Sequence, residues 1–515
     1  MPEDAADQLI EDEALEPGTP RMGARRAALL GLRLIAGTIA VVAAAATVAA
    51  VGLVPIPTGG IAPVDLTVTP DAADELRVCA GAALRLGDES GQDADVPEPI
   101  GVPSVRSDAL DADLDSSPIP TSDAGTGGSP AAPEVLRIAP SDGSEVAGAQ
   151  SQVVDAPNFA GFSAAACAEP SGSIWLAGGA TTVGRTSILT LTNPTPVAAE
   201  VSLQIFGEDG LVEAPGMAGI DVPAGTQRVL SLAGFAPGLA SPVVHVEARG
   251  GQVVAYLQQS IVRGLDATGV DLVDAAPDPA TELTFPGVQI FDAIGVNRAL
   301  SLEDWADIVP AVRILNTGPE PTEVTVSVTP LDPALDGTGF PVQVEPGVVT
   351  EVPLDAGAEA ESGVALADGM YTVTMTADQP IVAGIRISAA ADTGEAQTDG
   401  PIEAPASDLA WHAAASPLTG DTLVTVAPGP DPVLAAVNPG TAEVSLLLEA
   451  QGGADITLVV PAGGSASTPV VAGTTYVLRE PSGLSVAIGY ASDDRMAAYP
   501  VTPARPVSGP IVIRP

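Results

Sequence analysis

Apolar and polar residues alternate along most of this chain with the period of two that is typical of half-buried β-strands. The alternation is plain in VDLTVT at Val64–Thr69 and in SILTLT at Ser187–Thr192. Clusters of Gly, Pro, Asn and Asp separate these short segments. No ten-residue stretch beyond residue 54 shows a convincing period of 3.6 residues. The pattern therefore predicts an all-β chain of sandwich type.

Three segments of the chain repeat one another in order and spacing. In each, a strand ends in an Asn, a turn of Pro or Gly follows, and a Glu-Val pair begins the next strand. The asparagines are Asn193, Asn316 and Asn438, which lie 123 and 122 residues apart. A period of this size is that of a whole domain. We therefore predict three tandem immunoglobulin-like β-sandwiches, at residues 181–280, 281–405 and 406–515.

The repeated asparagines have a structural interpretation. Asn before Pro or Gly adopts turn conformations readily, and its side-chain amide can bond backbone groups that the turn leaves free. We expect Asn193, Asn316 and Asn438 to hold turns and not to bind a ligand.

One apolar stretch interrupts the β pattern. Residues 34–54 carry no charge, and as a helix these twenty-one residues would span the roughly 30 Å core of a bilayer. Arg21, Arg25, Arg26 and Arg33 precede the stretch, whereas the next basic residue is Arg77. By the positive-inside rule, we predict a single-pass membrane protein with residues 1–33 in the cytoplasm and the remainder extracytoplasmic.

Two other interpretations of residues 34–54 stay open. The first is a cleavable signal peptide, since Thr47, Ala49 and Ala50 form a tolerable cleavage site, although the long acidic segment before the run argues against it. The second is a core helix of a soluble protein, where uncharged runs of this length are rare. A lipoprotein anchor is excluded because the first Cys is Cys79.

Charge narrows the set of partners. The formal net charge of the 515 residues is −46, and only seven acids and four Arg belong to residues 1–33. The predicted outer part is therefore strongly acidic, and such a surface repels phosphate backbones, which disfavours nucleic-acid binding. Aromatic residues make up only 3%, so stacking platforms for sugars or bases are not indicated.

Two cysteines, Cys79 and Cys167, lie in the predicted outer part. An even count in an oxidising compartment predicts a disulfide between them. They flank residues 88–133, a stretch rich in Asp, Glu, Pro, Gly and Ser with almost no apolar periodicity. We expect this stretch to be a disordered acidic insertion. It belongs to an N-terminal β region, residues 55–180, which we expect to pack with the first sandwich.

Two segments resemble nucleotide- or metal-binding motifs, but their surrounding sequence does not fit either motif. Gly179–Thr186 fits the phosphate-loop spacing with Arg185 at the Lys position. Such a loop must open a helix, whereas the segment that follows is a predicted strand. Asp111, Asp113 and Asp115 suggest a Ca²⁺ loop, but Ser occupies the sixth and twelfth positions, where Gly and Glu are required. The sequence predicts no nucleotide, cofactor or metal site.

Catalytic machinery is not indicated either. His245 alternates with its neighbours in PVVHVEA as an ordinary strand residue does, and His412 follows Trp411 where a packing pair is expected. Without Lys, a free Cys, G-x-S-x-G or zinc-ligand spacing, the common nucleophilic and metal mechanisms lack parts. We predict no catalytic residue and no enzyme activity. A carboxylate pair for glycoside cleavage stays open as an alternative among the 65 acids.

The order of these elements resembles a known family. An N-terminal span, a Cys before an acidic insertion, the block CAEPSGSIWLAGG at Cys167–Gly179 leading into TLTNPTP, and a VPAG turn are similar to an uncharacterised family of actinobacterial envelope proteins. The resemblance covers most of the predicted outer part. It implies an anchored extracytoplasmic protein that resembles accessory partners of membrane glycosyltransferases, and it supplies no catalytic residues.

The expected function is that of a membrane-anchored extracytoplasmic scaffold or sensor of the bacterial cell envelope, in cell-wall or glycopolymer assembly. No residue identifies its partner as an envelope protein or as a glycopolymer. Two alternatives stay open, namely an envelope glycan-acting enzyme with a carboxylate pair and an adhesion or spacer protein.

Overall fold

The computed structural model describes the chain in segments. These are residues 37–39, 42, 66–68, 74–87, 96–121, 131–140, 144–156, 159–356, 366–391, 405–481, 483–492, 495–503 and 511–513. Apart from helical residues 37–39 and 42, one short helix and two 3₁₀ turns, their regular structure is β, so the predicted all-β class is confirmed. No helix in these segments is long and apolar enough to cross a membrane. Most of the predicted span at 34–54 lies outside the described residues.

Two strands form a small unit by themselves. β1 (Leu66–Val68) pairs antiparallel with the last strand of the chain, Ile511–Ile513. Both belong to a unit made of residues 1–69 and 510–515, while residues 70–509 form the larger unit described below.

The N-terminal part of the larger unit contains three small antiparallel sheets. Their strands are β2 (Glu75–Cys79), β3 (Ala83–Leu86), β4 (Pro97–Ile100), β5 (Ser104–Leu110), β6 (Asp115–Pro118), β7 (Glu134–Ile138), β8 (Glu145–Ala156) and β9 (Phe159–Ala166). The sheet orders are β2-β7-β6, β3-β4 and β5-β8-β9.

The prediction of a disordered insertion at 88–133 is wrong for the part that the structure describes. β4, β5 and β6 lie inside it and pair with β3, β8 and β7. Val105, Ala109 and Leu114 pack partly buried against a small core that contains the two cysteines. Pairing with strands that bury more apolar surface thus orders a stretch whose own composition is polar. Residues 88–95 and 122–130 of the insertion lie outside the described residues.

Two sheets face each other in the next part of the chain. Their strands are β10 (Ser173–Ala177), β11 (Arg185–Asn193), β12 (Ala199–Gly207), β13 (Gly210–Leu211), β14 (Ile220–Val222), β15 (Thr226–Ser231), β16 (Val243–Gly250), β17 (Val254–Arg263) and β18 (Asp266–Val273), with a 3₁₀ turn at Leu232–Gly234. One sheet has the order β10-β16-β12-β13, with β14 on β12, and the other has the order β15-β11-β17-β18. Every second residue of β12 is buried, as the period of two predicts. Leu176, Leu189, Val201 and Leu257 contribute to the shared core.

One seven-stranded sheet bends to enclose the following core. Its elements are β19 (Ala280–Ile290), α1 (Ala293–Ala299), a 3₁₀ turn at Ala306–Ile308, β20 (Ala311–Asn316), β21 (Thr322–Pro330), β22 (Thr338–Val344), β23 (Val349–Pro353) and β24 (Gly369–Ala390). The first half of β24 pairs with β19 and β21, and its second half pairs with β20. A single long strand therefore belongs to both layers of this core.

The C-terminal part contains a further pair of four-stranded sheets. Its strands are β25 (Ser407–Ala413), β26 (Thr422–Thr425), β27 (Val433–Val437), β28 (Val444–Ala450), β29 (Ile456–Val460), β30 (Ser465–Pro469), β31 (Thr475–Arg479), β32 (Ser485–Ser492), β33 (Arg495–Pro500) and finally β34 (Ile511–Ile513) of the small unit. The sheet orders are β26-β31-β28-β29 and β30-β27-β32-β33. Phe162 and Ala164 of β9 enter their core, so the N-terminal region packs here as well as on the first pair of sheets.

Two strands lie across the boundaries that the sequence suggested. β10 precedes residue 181 but pairs with β16 of the first pair of sheets. β25 follows residue 405 but pairs with the second half of β24. The two pairs of facing sheets and the bent sheet between them, called modules below, therefore share strands at their borders. A repeat pattern based on turns does not reveal this sharing.

The three repeated asparagines occupy equivalent turns, and their predicted structural role is confirmed. Each is at most 2% exposed, and its amide nitrogen donates to one carbonyl four residues ahead and to a second at the end of a later strand. The acceptors are Val197 and Val222 for Asn193 (2.8 and 3.0 Å), Glu320 and Val344 for Asn316 (2.7 and 3.2 Å), and Ala442 and Val460 for Asn438 (2.8 and 3.3 Å). The amide oxygen accepts from the backbone two residues ahead.

Candidate functional site

The regions of the larger unit meet around a cleft of about 830 Å³. Its walls come from the N-terminal sheets, the first facing pair, the segment between β18 and β19, and the strands that follow β25. The lining residues include 166–169, 254–255, 274–278, 282–284, 414–417 and 502–503. Segments that lie hundreds of residues apart in the chain thus build one concave surface of the size that ligand sites usually have.

Asp274 is the most unusual residue of this cleft. It follows directly on β18 and is only 6% exposed. Its Oδ2 has no hydrogen-bond partner among the residues that the structure describes. Burial raises the pKa of the Asp274 carboxyl well above its usual value. A buried carboxyl oxygen without a donor is costly, so its presence in a cleft points to a ligand contact.

Acidic side chains outnumber basic ones around Asp274. Asp278 and Glu282 line the same cleft from exposed positions, and Glu169 lines it from a half-buried one. Arg77 is the single basic residue among the described lining residues. It is engaged already, since its guanidinium lies 3.3 Å from carboxylate oxygens of both Glu75 and Glu169.

The disulfide lies in a wall of the same cleft. Cys79 and Cys167 are bonded, as the sequence predicted, and Cys167 lines the cleft. Close by, the hydroxyl of Tyr256 lies 2.9 Å from the carbonyl of Val78 and accepts from the backbone nitrogen of Ala168 at 2.8 Å. Burial raises the pKa of Tyr256 well above its usual value, so this hydroxyl stays neutral. The bridge and this tyrosine together fix the segment after β9.

A serine and a histidine meet at the edge of the cleft. Oγ of Ser173 lies 2.9 Å from Nε2 of His245, a distance typical of a nucleophile and its base. Nδ1 of His245 lies 3.3 Å from Oε1 of Gln204, so a neutral amide stands where serine hydrolases have a carboxylate. The imidazole stacks on Trp175 with 3.9 Å between ring centroids, and burial lowers its pKa. The group is incomplete as a catalytic triad, and sequence reasoning did not bring Ser173 and His245 together.

A second meeting place of the modules is closed. Arg313 of β20 is fully buried, and its Nη atoms donate to the carbonyls of Gly179 (2.9 Å), Pro242 (2.8 Å) and Ala240 (3.1 Å) of the first facing pair. Its Nε and Nη2 also contact Glu351 at 2.8 and 2.7 Å. All five guanidinium N–H groups therefore have acceptors.

Two arginines share one carboxylate at this Arg313 junction. Arg386 also contacts Glu351, at 3.2 Å, and the guanidinium of Arg313 lies 4.7 Å from the ring centroid of Trp411. Burial alone would raise the pKa of Glu351, but the charges of Arg313 and Arg386 outweigh it and lower the pKa to about 2. Packing is tight here, because a Cβ on Gly384 would lie 2.1 Å from the carbonyl oxygen of Ala177.

The remaining sequence candidates have structural partners. Arg185, at the Lys position of the phosphate-loop pattern, begins β11 and contacts Asp304 at 2.8 Å and Asp307 at 2.9 Å. Arg185 and Arg263 outweigh the effect of burial and lower the pKa of Asp307 to about 2. His412 is buried on β25, and this burial lowers its pKa to about 4. Trp411 packs in the core of the first facing pair, as expected for a boundary residue.

Metal ligands are not clustered. Within the described part of the chain, no group of three or more His, Cys, Asp or Glu side chains could hold a metal ion. Asp111 and Asp113 belong to the turn after β5, and Asp115 begins β6, where it takes part in pairing with β7.

Residues 123–479 match a family of unknown function, DUF5719. The chain belongs to this family. The resemblance to an uncharacterised domain family is thereby confirmed. The DUF5719 region contains the three asparagine turns, Arg313 and Asp274, whereas Arg77 and Cys79 precede it. No curated protein matches the chain.

Asp274 was missed by sequence reasoning, and the reason is physical. Its carboxylate is one of 65 acids, and nothing in DAAPDP at 274–279 identifies it as buried. The local signal that existed is its position directly after the apolar end of β18, where an exposed turn residue is the usual occupant. The carboxyl of Asp274 becomes buried only because distant strands pack around it.

Proposed function

We propose that this DUF5719 protein is a non-catalytic, extracytoplasmic scaffold of the actinobacterial cell envelope. Residues 34–54 anchor it as a single transmembrane helix with residues 1–33 in the cytoplasm, and three immunoglobulin-like sandwiches stand outside the membrane. The arginine asymmetry around residues 34–54 supports this orientation. The Cys79–Cys167 bridge supports an oxidising compartment.

The Arg313 junction is the observation that carries the scaffold function. Modules that act as a string of spacers bury little polar surface between them and move relative to one another. Here a fully buried arginine of one module donates to three carbonyls of another. Such a junction fixes the mutual orientation of the modules, and the walls of the cleft keep one geometry. The cleft then serves as the docking place of an envelope partner.

Site-specific photo-crosslinking in intact membranes tests this function. A photoreactive amino acid replaces Asp278 at the cleft rim, and in a matched variant it replaces the exposed Asp336, which lies outside the cleft. We expect a discrete crosslinked adduct from position 278 and none from position 336. Equal adducts from both positions, or none from position 278, would contradict a docking role for the cleft.

An enzyme that acts on envelope glycans is the second candidate. The observation in its favour is that Asp274, buried and with a raised pKa, lines the same cleft as Asp278 and Glu282. A general acid and a second carboxylate are the parts that glycosidases require. Hydrolysis of envelope glycan by the purified protein, abolished by Asp274→Asn, would replace the scaffold function with this one.

A further inference from the structure

We infer that the cleft binds a basic peptide segment of the partner protein, with Asp274 receiving an arginine or lysine side chain. The inference rests on the proposed scaffold function, because it names the chemical class of the docked partner. It starts from the buried carboxyl oxygen that has no donor and proceeds through the charge and the composition of the walls.

The carboxyl of Asp274 can accept a hydrogen bond from a ligand. Asp274 lines the cleft and is 6% exposed, and its buried Oδ2 accepts no hydrogen bond from a described residue. Leaving such an atom unsatisfied is costly, and a ligand that brings an N–H removes the cost on binding. The ligand group must therefore be a donor.

The charge of the walls selects a cation. The exposed acids Asp278 and Glu282 line the cleft beside Asp274, and Arg77 cannot balance them because Glu75 and Glu169 already bind it. Charge complementarity then favours an ammonium or guanidinium group over a neutral hydroxyl. The net charge of −46 acts in the same direction, since it raises the local concentration of cationic segments.

The composition of the walls favours a peptide over a glycan. No Trp, Tyr or Phe is among the described lining residues, so the cleft offers no aromatic face for a sugar ring. Ala, Pro and Val residues instead provide apolar surface between the acids. The volume of about 830 Å³ accommodates several residues of an extended chain.

Fluorescence anisotropy with the full-length protein in detergent tests this inference. The probe is a fluorescein-labelled peptide of alternating Arg and Ala, and the reference probe has Gln in place of Arg. Spermidine and a chitin oligosaccharide serve as competitors. The protein variants are Asp274→Asn and Asp278→Asn in the cleft, and Asp266→Asn as a control. Asp266 is exposed at the other end of β18, about 25 Å along the strand from Asp274.

We expect the Arg peptide to bind and the Gln peptide to bind at least about tenfold more weakly. Asp274→Asn should weaken the Arg peptide roughly tenfold, Asp278→Asn should weaken it less, and Asp266→Asn should leave its affinity unchanged. Spermidine should compete only weakly, because it lacks the peptide contacts with the apolar walls.

Three results would overturn the inference. Equal losses in the Asp274→Asn and Asp266→Asn variants would assign binding to the general field of the protein. Equal binding of the two peptides would exclude charge selection, and displacement by the chitin oligosaccharide would assign the cleft to glycans. The Asp278→Asn variant gives an independent readout if Asp274→Asn fails to fold. Crosslinking of a partner at the cleft rim that the Arg peptide does not displace would leave the scaffold function standing and refute only this inference.

Discussion

The Arg313 junction and the Asp274 cleft are both places where modules meet, and both bury a charged or titratable group. At the junction, every N–H of Arg313 has an acceptor, and Glu351 accepts from two arginines. In the cleft, Asp274 is buried beside open space, and one of its oxygens has no partner among the described residues. The guanidinium of Arg313 is satisfied within the chain, although Nε of the neighbouring Arg386 has no partner among the described residues. The carboxyl of Asp274 is not satisfied.

This difference separates a structural role from a functional one. A satisfied buried network specifies one arrangement of the modules, and it gains nothing from a ligand. An unsatisfied buried carboxyl costs stability, and where it lines a cleft a ligand can complete it. A buried ionisable residue therefore indicates a structural role at one border between modules and a functional role at the other.

The largest effect is expected at the junction. Arg313→Ala removes five hydrogen bonds and leaves the largely buried Glu351 with only Arg386 and the hydroxyl of Ser241, so the free energy of unfolding should fall by about 3 to 5 kcal/mol. Urea titration measures it. Arg479→Ala is the control, because Arg479 contacts Glu449 and Asp421 at the surface and its loss should cost less than about 1 kcal/mol. Similar losses in the two variants would refute the special role of the junction.

The stabilising contribution of the Arg313 junction should also be lost in acid. Because the pKa of Glu351 in the folded protein is about 2, below its ordinary value, the pair stabilises the fold above about pH 4.5. That contribution, roughly 3 kcal/mol, should disappear as the pH falls from 4.5 to 2. Unfolding free energies of the wild type and of Glu351→Gln across this window measure it. Parallel pH curves for the two proteins would contradict the assignment, since other acids such as Asp307 contribute equally to both.

An intermediate effect is expected at the asparagine turns. Asn316→Ala removes two donated bonds and one accepted bond from a buried turn, which should cost about 1 to 3 kcal/mol. Asn316→Asp keeps the accepting oxygen but loses the two donated bonds, so it should be no more stable than Asn316→Ala. Ala at the exposed Asp336 should change stability by less than about 0.5 kcal/mol. Thermal unfolding of the three variants would reveal whether these turns matter to the fold as the sequence repeat suggests.

No loss of stability is expected from a substitution in the cleft. The raised pKa of Asp274 means that its contribution is present below about pH 4 and is lost as the pH rises. Asp274→Asn should therefore be at least as stable as the wild type at neutral pH, and its advantage should grow as the pH rises. Asp271 and Asp408 also have raised pKa values but are present in both proteins. A large loss at neutral pH would make Asp274 a structural residue.

Local patterns predicted the parts of the fold that local physics controls. The alternation of apolar residues predicted the strands, and the Asn-Pro and Asn-Thr-Gly segments predicted three turns, which make the same bonds. The cysteine count predicted the disulfide. The prediction for the acidic insertion failed because composition indicates only how much apolar surface a segment can bury by itself. β5 is ordered because it pairs with β8.

Long-range packing controls what the sequence did not reveal. Arg313 is one of 19 basic residues, and nothing near it indicates that Gly179, Ala240 and Pro242 will surround its guanidinium. Asp274 is equally inconspicuous before the strands after β25 close the cleft around it. Strand sharing at β10 and β25 also depends on packing between modules, so the repeat period could not give these borders.

Hydrogen–deuterium exchange of the full-length protein, with and without the Arg-Ala peptide, tests the contrast between junction and cleft most directly. We predict slower exchange in residues 166–171 and 274–284, which line the cleft. Residues 240–242 and 311–316, which form the Arg313 junction, should exchange at the same rate with and without the peptide. Protection at the junction, or protection nowhere, would contradict the claim that the cleft takes a ligand and the junction does not.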